Sequence, residues 1–324
     1  MLQVARCRLQ VVRRKRAAHN PINFQLSTLN PQPGFSIIEL LVAMTLLSLI
    51  VVVLMSVFNS TQQAFRAGVT QTDVLEGSRA AVDLITTDLR TLAPSYDATN
   101  ASVNFLAMDN GEITSVNYTP LSQNLPGSSF QRANVLNFFF VLGRNNTKWT
   151  AVGYVVNATN HSPLYPLYRF YAETNISVPP AALYAAFTNA VNYSQWTNMS
   201  HVMDGVVSLS VRAFDPAGYR MTNTAYVVVP SPNGITNFHD NVYFRYPPSP
   251  GEVGFRFYSN AVPAAVELQM GVLEDRALQR AESLPYQSAA QSSYLAQQSG
   301  KVHLFRERVT IPNVDPSAYL PPNQ

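Results

Sequence analysis

The chain of 324 residues holds one cysteine, Cys7, and only 13% of its side chains are charged. A lone thiol excludes an internal disulfide framework and a thiolate metal cluster, so stability falls to a large apolar core. Acidic side chains are missing altogether from residues 1–34, which contain Arg6, Arg8, Arg13, Arg14, Lys15 and Arg16. Without those six, 16 basic residues face 19 acidic ones and the net charge goes from +3 to −3. The basic balance therefore belongs to the leader, and the body of the chain has no surplus of cations for a nucleic-acid phosphate backbone. Catalytic signatures are missing too. His161, His201, His239 and His303 have no metal-ligand spacing, and there is no nucleophile elbow, phosphate-cradling glycine loop or zinc-binding helix motif. An enzyme is not expected, and neither is a cofactor.

What is present is one long apolar run. From Phe35 to Phe58 the only ionisable side chain is Glu39. At 1.5 Å per residue these positions make a helix of roughly 36 Å, enough to cross a hydrocarbon core of about 30 Å. An acid at the centre of such a span costs roughly 3 kcal/mol, and less near the interface, so a retained Glu39 points to a function that compensates it. A secretory signal places its small-residue cleavage site after a short apolar region. Here Gly34 precedes a run that is too long for that. The basic residues ahead of the span favour a cytoplasmic amino terminus, with everything after Phe58 on the other side of the membrane.

The string Gly34-Phe35-Ser36-Ile37-Ile38-Glu39-Leu40-Leu41-Val42-Ala43-Met44 resembles the class III signal of type IV prepilins and pseudopilins. That resemblance implies cleavage after Gly34 by the prepilin peptidase, N-methylation of the new terminus at Phe35, and a glutamate, Glu39, at the fifth mature position. It also implies that Glu39 meets the Phe35 amine of a neighbouring subunit, which suits the rule that a buried carboxylate needs a nearby cation. At 34 residues the leader is longer than is usual in the family. Ser78-Arg79-Ala80-Ala81-Val82-Asp83 and Asp204-Gly205-Val206-Val207-Ser208-Leu209 resemble large minor pseudopilins of the J or W kind. Ser259–Leu268 and Phe305–Asn313 are similar to the Verru/Chthon cassette protein C group.

After the span, Phe65, Val69, Thr72, Leu75, Val82, Ile85, Leu89 and Leu92 recur at helical spacing and predict an amphipathic continuation packed on a core, ending near Leu92 before Pro94. Gly68 and Gly77 predict a weak point in it. Beyond residue 95, short apolar runs predict strands at Val103–Met108, Val135–Leu142, Ala151–Val156, Leu167–Tyr171, Val206–Phe214, Tyr226–Val229, Val242–Tyr246, Val266–Leu273 and Val302–Ile311. In one, Val207, Leu209, Val211 and Ala213 share a face; in another, Val266, Leu268, Met270 and Val272 do. Helices are expected at Ala181–Ala190 and Asp275–Ser299, the second broken near Pro285.

The fold expected is α+β and pilin-like: a leader (1–34), a transmembrane half-helix (35–58), a soluble half-helix (59–93) and a β-rich periplasmic domain (95–324). The function expected is a structural and adaptor subunit of a secretion pseudopilus or type IV pilus, at the tip or initiation complex. Its partners would be the prepilin peptidase, other major and minor pseudopilins, the inner-membrane assembly platform and membrane lipid, with no nucleic acid. A membrane-anchored carbohydrate- or substrate-binding module using the same signal is the alternative. Asp109-Asn110-Gly111-Glu112 is a weak calcium-loop candidate through Asp109 and Glu112, though such a string is more often a turn.

Overall fold

A computed structural model of the protein describes residues 34–99, 101–109, 121–159, 162–222, 229–231, 234–236, 241–245 and 253–319. It forms two compact units, Met1–Ser60 and Thr61–Gln324. Helix α1 (Ile37–Arg90) begins in the first and ends in the second, and it runs unbroken through Gly68 and Gly77.

Strands follow in chain order: β1 (Val103–Asp109), β2 (Ser122–Asn124), β3 (Gln131–Ala133), β4 (Asn137–Arg144), β5 (Lys148–Val156), β6 (Leu167–Asn175), then helix α2 (Ala181–Asn192). Next are β7 (Ser200–Met203), β8 (Val206–Phe214), β9 (Val229–Ser231), β10 (Gly234–Thr236), β11 (Val242–Arg245), β12 (Gly254–Tyr258) and β13 (Ala265–Leu273). Helices α3 (Asp275–Glu282) and α4 (Ala289–Ala296) and strand β14 (Val302–Thr310) close the series. The main sheet is seven-stranded and antiparallel, ordered β11-β12-β1-β4-β5-β6-β7, beside a three-stranded sheet β14-β13-β8 and the hairpins β2-β3 and β9-β10. This is the α+β arrangement of a long apolar amino-terminal helix followed by an antiparallel sheet domain.

The main sheet is covered on both faces, which is why β4 reads as a continuous run, Phe138-Phe139-Phe140-Val141-Leu142, rather than an alternating one. Phe139, Val141, Val152 and Tyr154 pack with the end of α1 and with β8 and β13. Phe138, Phe140 and Val155 pack under α2, whose Phe187 lies so close to the sheet that a Cβ on Gly153 would sit 2.4 Å from its ring.

Within the second unit the buried face of α1 is Val74, Ser78, Ala81, Val82, Ile85, Asp88 and Leu89, followed by Leu92. That corrects the expected stripe. Phe65 and Val69 are exposed at 71% and 46%, Thr72 is exposed and Leu75 is only half-buried. The buried face begins only at Val74, and within it small Ser78 and Ala81 give little apolar signal. The α-helix stops at Arg90 rather than Leu92, because Leu92 bridges to Gly143 and the Ala93 N–H donates to the Leu142 carbonyl at 2.9 Å.

Leu209, Val211 and Ala213 face one core as expected, but Val207 does not. A register irregularity between Gly271 and Val272 turns Val206 into that core and Val207 toward α3 and α4. The other alternating strand, β13, places Val266, Leu268, Met270 and Val272 together as expected. The Asp275–Ser299 segment breaks after Glu282 and resumes at Ala289, around Pro285. Tyr226 lies outside the described residues, as does Tyr246.

Candidate functional site

The start of α1 is built by a local hydrogen-bond exchange. The Glu39 N–H donates to Ser36 Oγ at 3.2 Å, and Glu39 Oε2 accepts from the Ser36 N–H at 2.9 Å and from its hydroxyl at 3.2 Å. This is a capping box: an N-cap serine and a glutamate three residues on satisfy each other's otherwise orphaned groups. A carboxylate in the first turn also sits at the positive end of the helix dipole. Gly34 and Phe35 precede the box outside the helix, and Phe35 is 90% exposed. The sequence carries the matching signal, Ser-x-x-Glu ahead of an apolar run.

The rest of this segment suits hydrocarbon. The helix is long and apolar enough to cross a membrane over Ile37–Arg66, and none of its most apolar window is buried within the protein. Its two central hydroxyls are satisfied internally, Thr45 Oγ1 donating to the Val42 carbonyl and Ser48 Oγ to the Thr45 carbonyl, both at 2.8 Å. Where no water competes, such internal bonds are what make hydroxyls tolerable.

Residues 29–55 match the family model described as the prokaryotic N-terminal methylation motif. The segment is a type IV pilin-like signal. The match covers less than a tenth of the chain, and its residues include Gly34, Phe35, Ser36 and Glu39. Searches of curated proteins and of solved structures return no match. The signal and the one helix among the described residues that is long and apolar enough to span a membrane fit a membrane-anchored, pilin-like protein, and the motif implies processing by the prepilin peptidase and assembly with other pilins.

In the second unit, polar clusters hold elements together. Asp88 near the end of α1 accepts from Arg169 Nε at 2.8 Å and Arg169 Nη2 at 2.9 Å, and from the Tyr154 hydroxyl. Burial, then Asp88, pushes the Tyr154 hydroxyl well above its ordinary pKa, so it donates and does not ionise. Glu267 on β13 bonds Arg306 Nη2 at 2.7 Å and Arg212 Nη1 at 3.3 Å. Burial alone would raise its carboxyl, but the two guanidiniums outweigh that and hold it below the usual range. Asp97, just past the helix, accepts from the hydroxyls and backbone N–H groups of Thr99 and Ser102, with donor distances of 2.6–3.1 Å, and is lowered to about 2.

A cavity of about 700 Å³ lies between the β2-β3 hairpin and α4, lined by Leu121, Leu164, Tyr165, Tyr286 and Gln291 among others, and none of its described lining residues is charged. Burial and then Tyr286 push Tyr165 up to about 12. Such a wall offers no acid–base pair poised near neutral pH. Of the calcium candidates, Asp109 closes β1 and Glu112 lies outside the described residues; among the described residues no group of three or more His, Cys, Asp or Glu side chains could hold a metal.

Proposed function

We propose that the protein is a minor pilin or pseudopilin, anchored in the inner membrane by residues 35–58 with its large domain in the periplasm and built into the tip or initiation complex of a filament. The observation that carries this reading is the coincidence of the methylation motif with a capped helix start whose only acid is Glu39. Residues 1–34 act as a leader; cleavage between Gly34 and Phe35 exposes an amine at Phe35, which is methylated. Glu39 then exchanges its partners in its own chain for the Phe35 amine of a neighbour, an ion pair that sets the register of adjacent helices. The assembly platform of the inner membrane extracts the helix from lipid. A distal domain much larger than the helix half it sits on suits a tip, where crowding by neighbours is least.

Mass spectrometry of the membrane-extracted chain tests the first step: the amino terminus should be an N-methylated Phe35. An uncleaved leader, or another first residue, would sink the reading. Glu39→Ala should leave cleavage intact and abolish entry into filaments; normal assembly of that variant would remove Glu39 from the mechanism.

A further inference from the structure

Strand β14 forms one edge of the three-stranded sheet and pairs with β13 over all nine residues without a bulge. Two bonds at its ends set the phase of the ladder. The Glu274 N–H donates to the Lys301 carbonyl and the Ile311 N–H to the Ala264 carbonyl, both at 3.0 Å. Hydrogen-bonded pairs alternate along an antiparallel ladder, so odd-numbered residues between these ends bond to β13. Val302, Leu304, Arg306, Arg308 and Thr310 therefore turn N–H and C=O away from it. No further backbone partner for them exists among the described residues.

Natural sheets blunt such an edge with a proline, a bulge, a short strand or freely solvated lysines. β14 has none of the first three, and its cations are not freely solvated. Arg306 is pinned on Glu267 at 2.7 Å, while its side chain stays 66% exposed. Arg308 lies over the Phe214 ring at 3.9 Å and has no carboxylate partner among the described residues. On the same face, two residues before Arg306, Leu304 is 49% exposed. The row next to the open edge thus reads apolar, cation, cation at a spacing of two, with both guanidiniums held in place.

We infer that β14 is a docking edge for an extended acidic segment of another protein, which adds as a strand and sets carboxylates at i and i+2 opposite Arg306 and Arg308. Main-chain bonds to the open edge supply affinity, and alternate side chains supply selection. Directly opposed residues on neighbouring strands bring their Cβ atoms to about 5 Å, within reach of a carboxylate–guanidinium pair. The inference concerns the distal domain alone and stands whether or not the chain enters a filament.

The full-length protein in detergent micelles is titrated with a capped nonapeptide alternating glutamate and valine, and with the same peptide carrying lysine for glutamate. The glutamate peptide should bind and slow hydrogen exchange at the Leu304, Arg306 and Arg308 amides, which point outward; the lysine peptide should not. The double variant R306E/R308E should weaken the glutamate peptide by about tenfold or more, a change in rim charge pairing large enough to read. It should also gain binding of the lysine peptide, which a misfolded variant would not. The proposal is overturned if neither peptide binds, or if a backbone N-methylated glutamate peptide binds equally well, since that marks a charge patch. It is also overturned if those amides are protected in the free protein by concentration-dependent self-association.

Discussion

Replacing Asp88 by alanine should be among the most damaging single changes in the second unit. Asp88 lies in the last turn of α1, and its carboxylate is the shared acceptor for both the Arg169 fork on β6 and the Tyr154 hydroxyl on β5. The side chains of Arg169 and Asp88 are 20% and 11% exposed. Breaking a buried pair from one side costs about 3–5 kcal/mol because the surviving charge is stranded. Water can reach the Arg169 guanidinium, which favours the low end, but Tyr154 is fully buried and loses its acceptor as well. We expect a loss of about 3 kcal/mol for Asp88→Ala. For a unit of this size, 2–4 °C per kcal/mol makes that a fall in Tm of roughly 6–12 °C. Urea unfolding of the full-length protein in micelles, followed by the fluorescence of Trp149 and Trp196, reads it. A cycle with Arg169→Ala isolates the coupling: the double variant strands no charge, so it should recover about 2 kcal/mol of the summed losses. Additivity within about 0.5 kcal/mol would show that the fork contributes no more than its separate contacts and would refute the reasoning.

Three smaller effects follow from other sites. Gly153→Ala puts a methyl into the Phe187 ring, so the ring and α2 must shift; a loss of about 1–3 kcal/mol by the same urea assay is expected, and Phe187→Leu in the same chain should recover part of it. Asp97, held at about 2 in the folded protein, contributes stability that is complete above the ordinary aspartate value near 3.9 and disappears as the pH falls from about 4 to about 2. An NMR titration should place its midpoint near 2 and move it back toward about 3.9 when Thr99 and Ser102 are both alanine. Ser36→Ala removes half of the capping box and should cost the helix start about 1 kcal/mol, seen as faster exchange of the Glu39 amide in lipid nanodiscs; Ser36→Thr should retain the protection.

The sequence was most legible where one face decides. Val266, Leu268, Met270 and Val272 alternate because one side of β13 meets the core and the other a polar row, and the strand falls within one residue of its expected start. The apolar span needed no tertiary information at all. Strands such as β12 and β7 were missed because they are only five and four residues long; β7 is an edge strand against β6, while β12 lies between nearby β11 and distant β1. On α1, Val82, Ile85, Leu89 and Leu92 are buried as expected, whereas Phe65 and Val69 lie ahead of the covered turns, and Ser78 and Ala81 on the buried face carry little apolar signal. Within the candidate site, the acid and its neighbours are plain in the sequence, whereas the pairing of Glu39 with Ser36 depends on where the helix begins. The Asp88–Arg169–Tyr154 cluster had no local signal, because sequence separations of 66 and 81 residues can be closed only by the fold.

The capping box changes what Glu39 must do in the proposed assembly. Without it, the carboxylate would enter the membrane with unmet acceptors, and a neighbouring amine would be needed merely to make the inserted chain tolerable. With Ser36 donating through both its N–H and its hydroxyl, the acid is already partnered at the mouth of the span. The proposed cleavage after Gly34 would leave the Ser36 N–H in place, so the box would persist in the processed subunit. Assembly then draws only on the difference between an internal cap and an intersubunit ion pair, not on relief of a bare buried charge. In the proposed assembly, a driving force of that smaller kind would keep subunits stable as a pool in lipid and let the filament's correct register, not desolvation alone, decide when the exchange occurs.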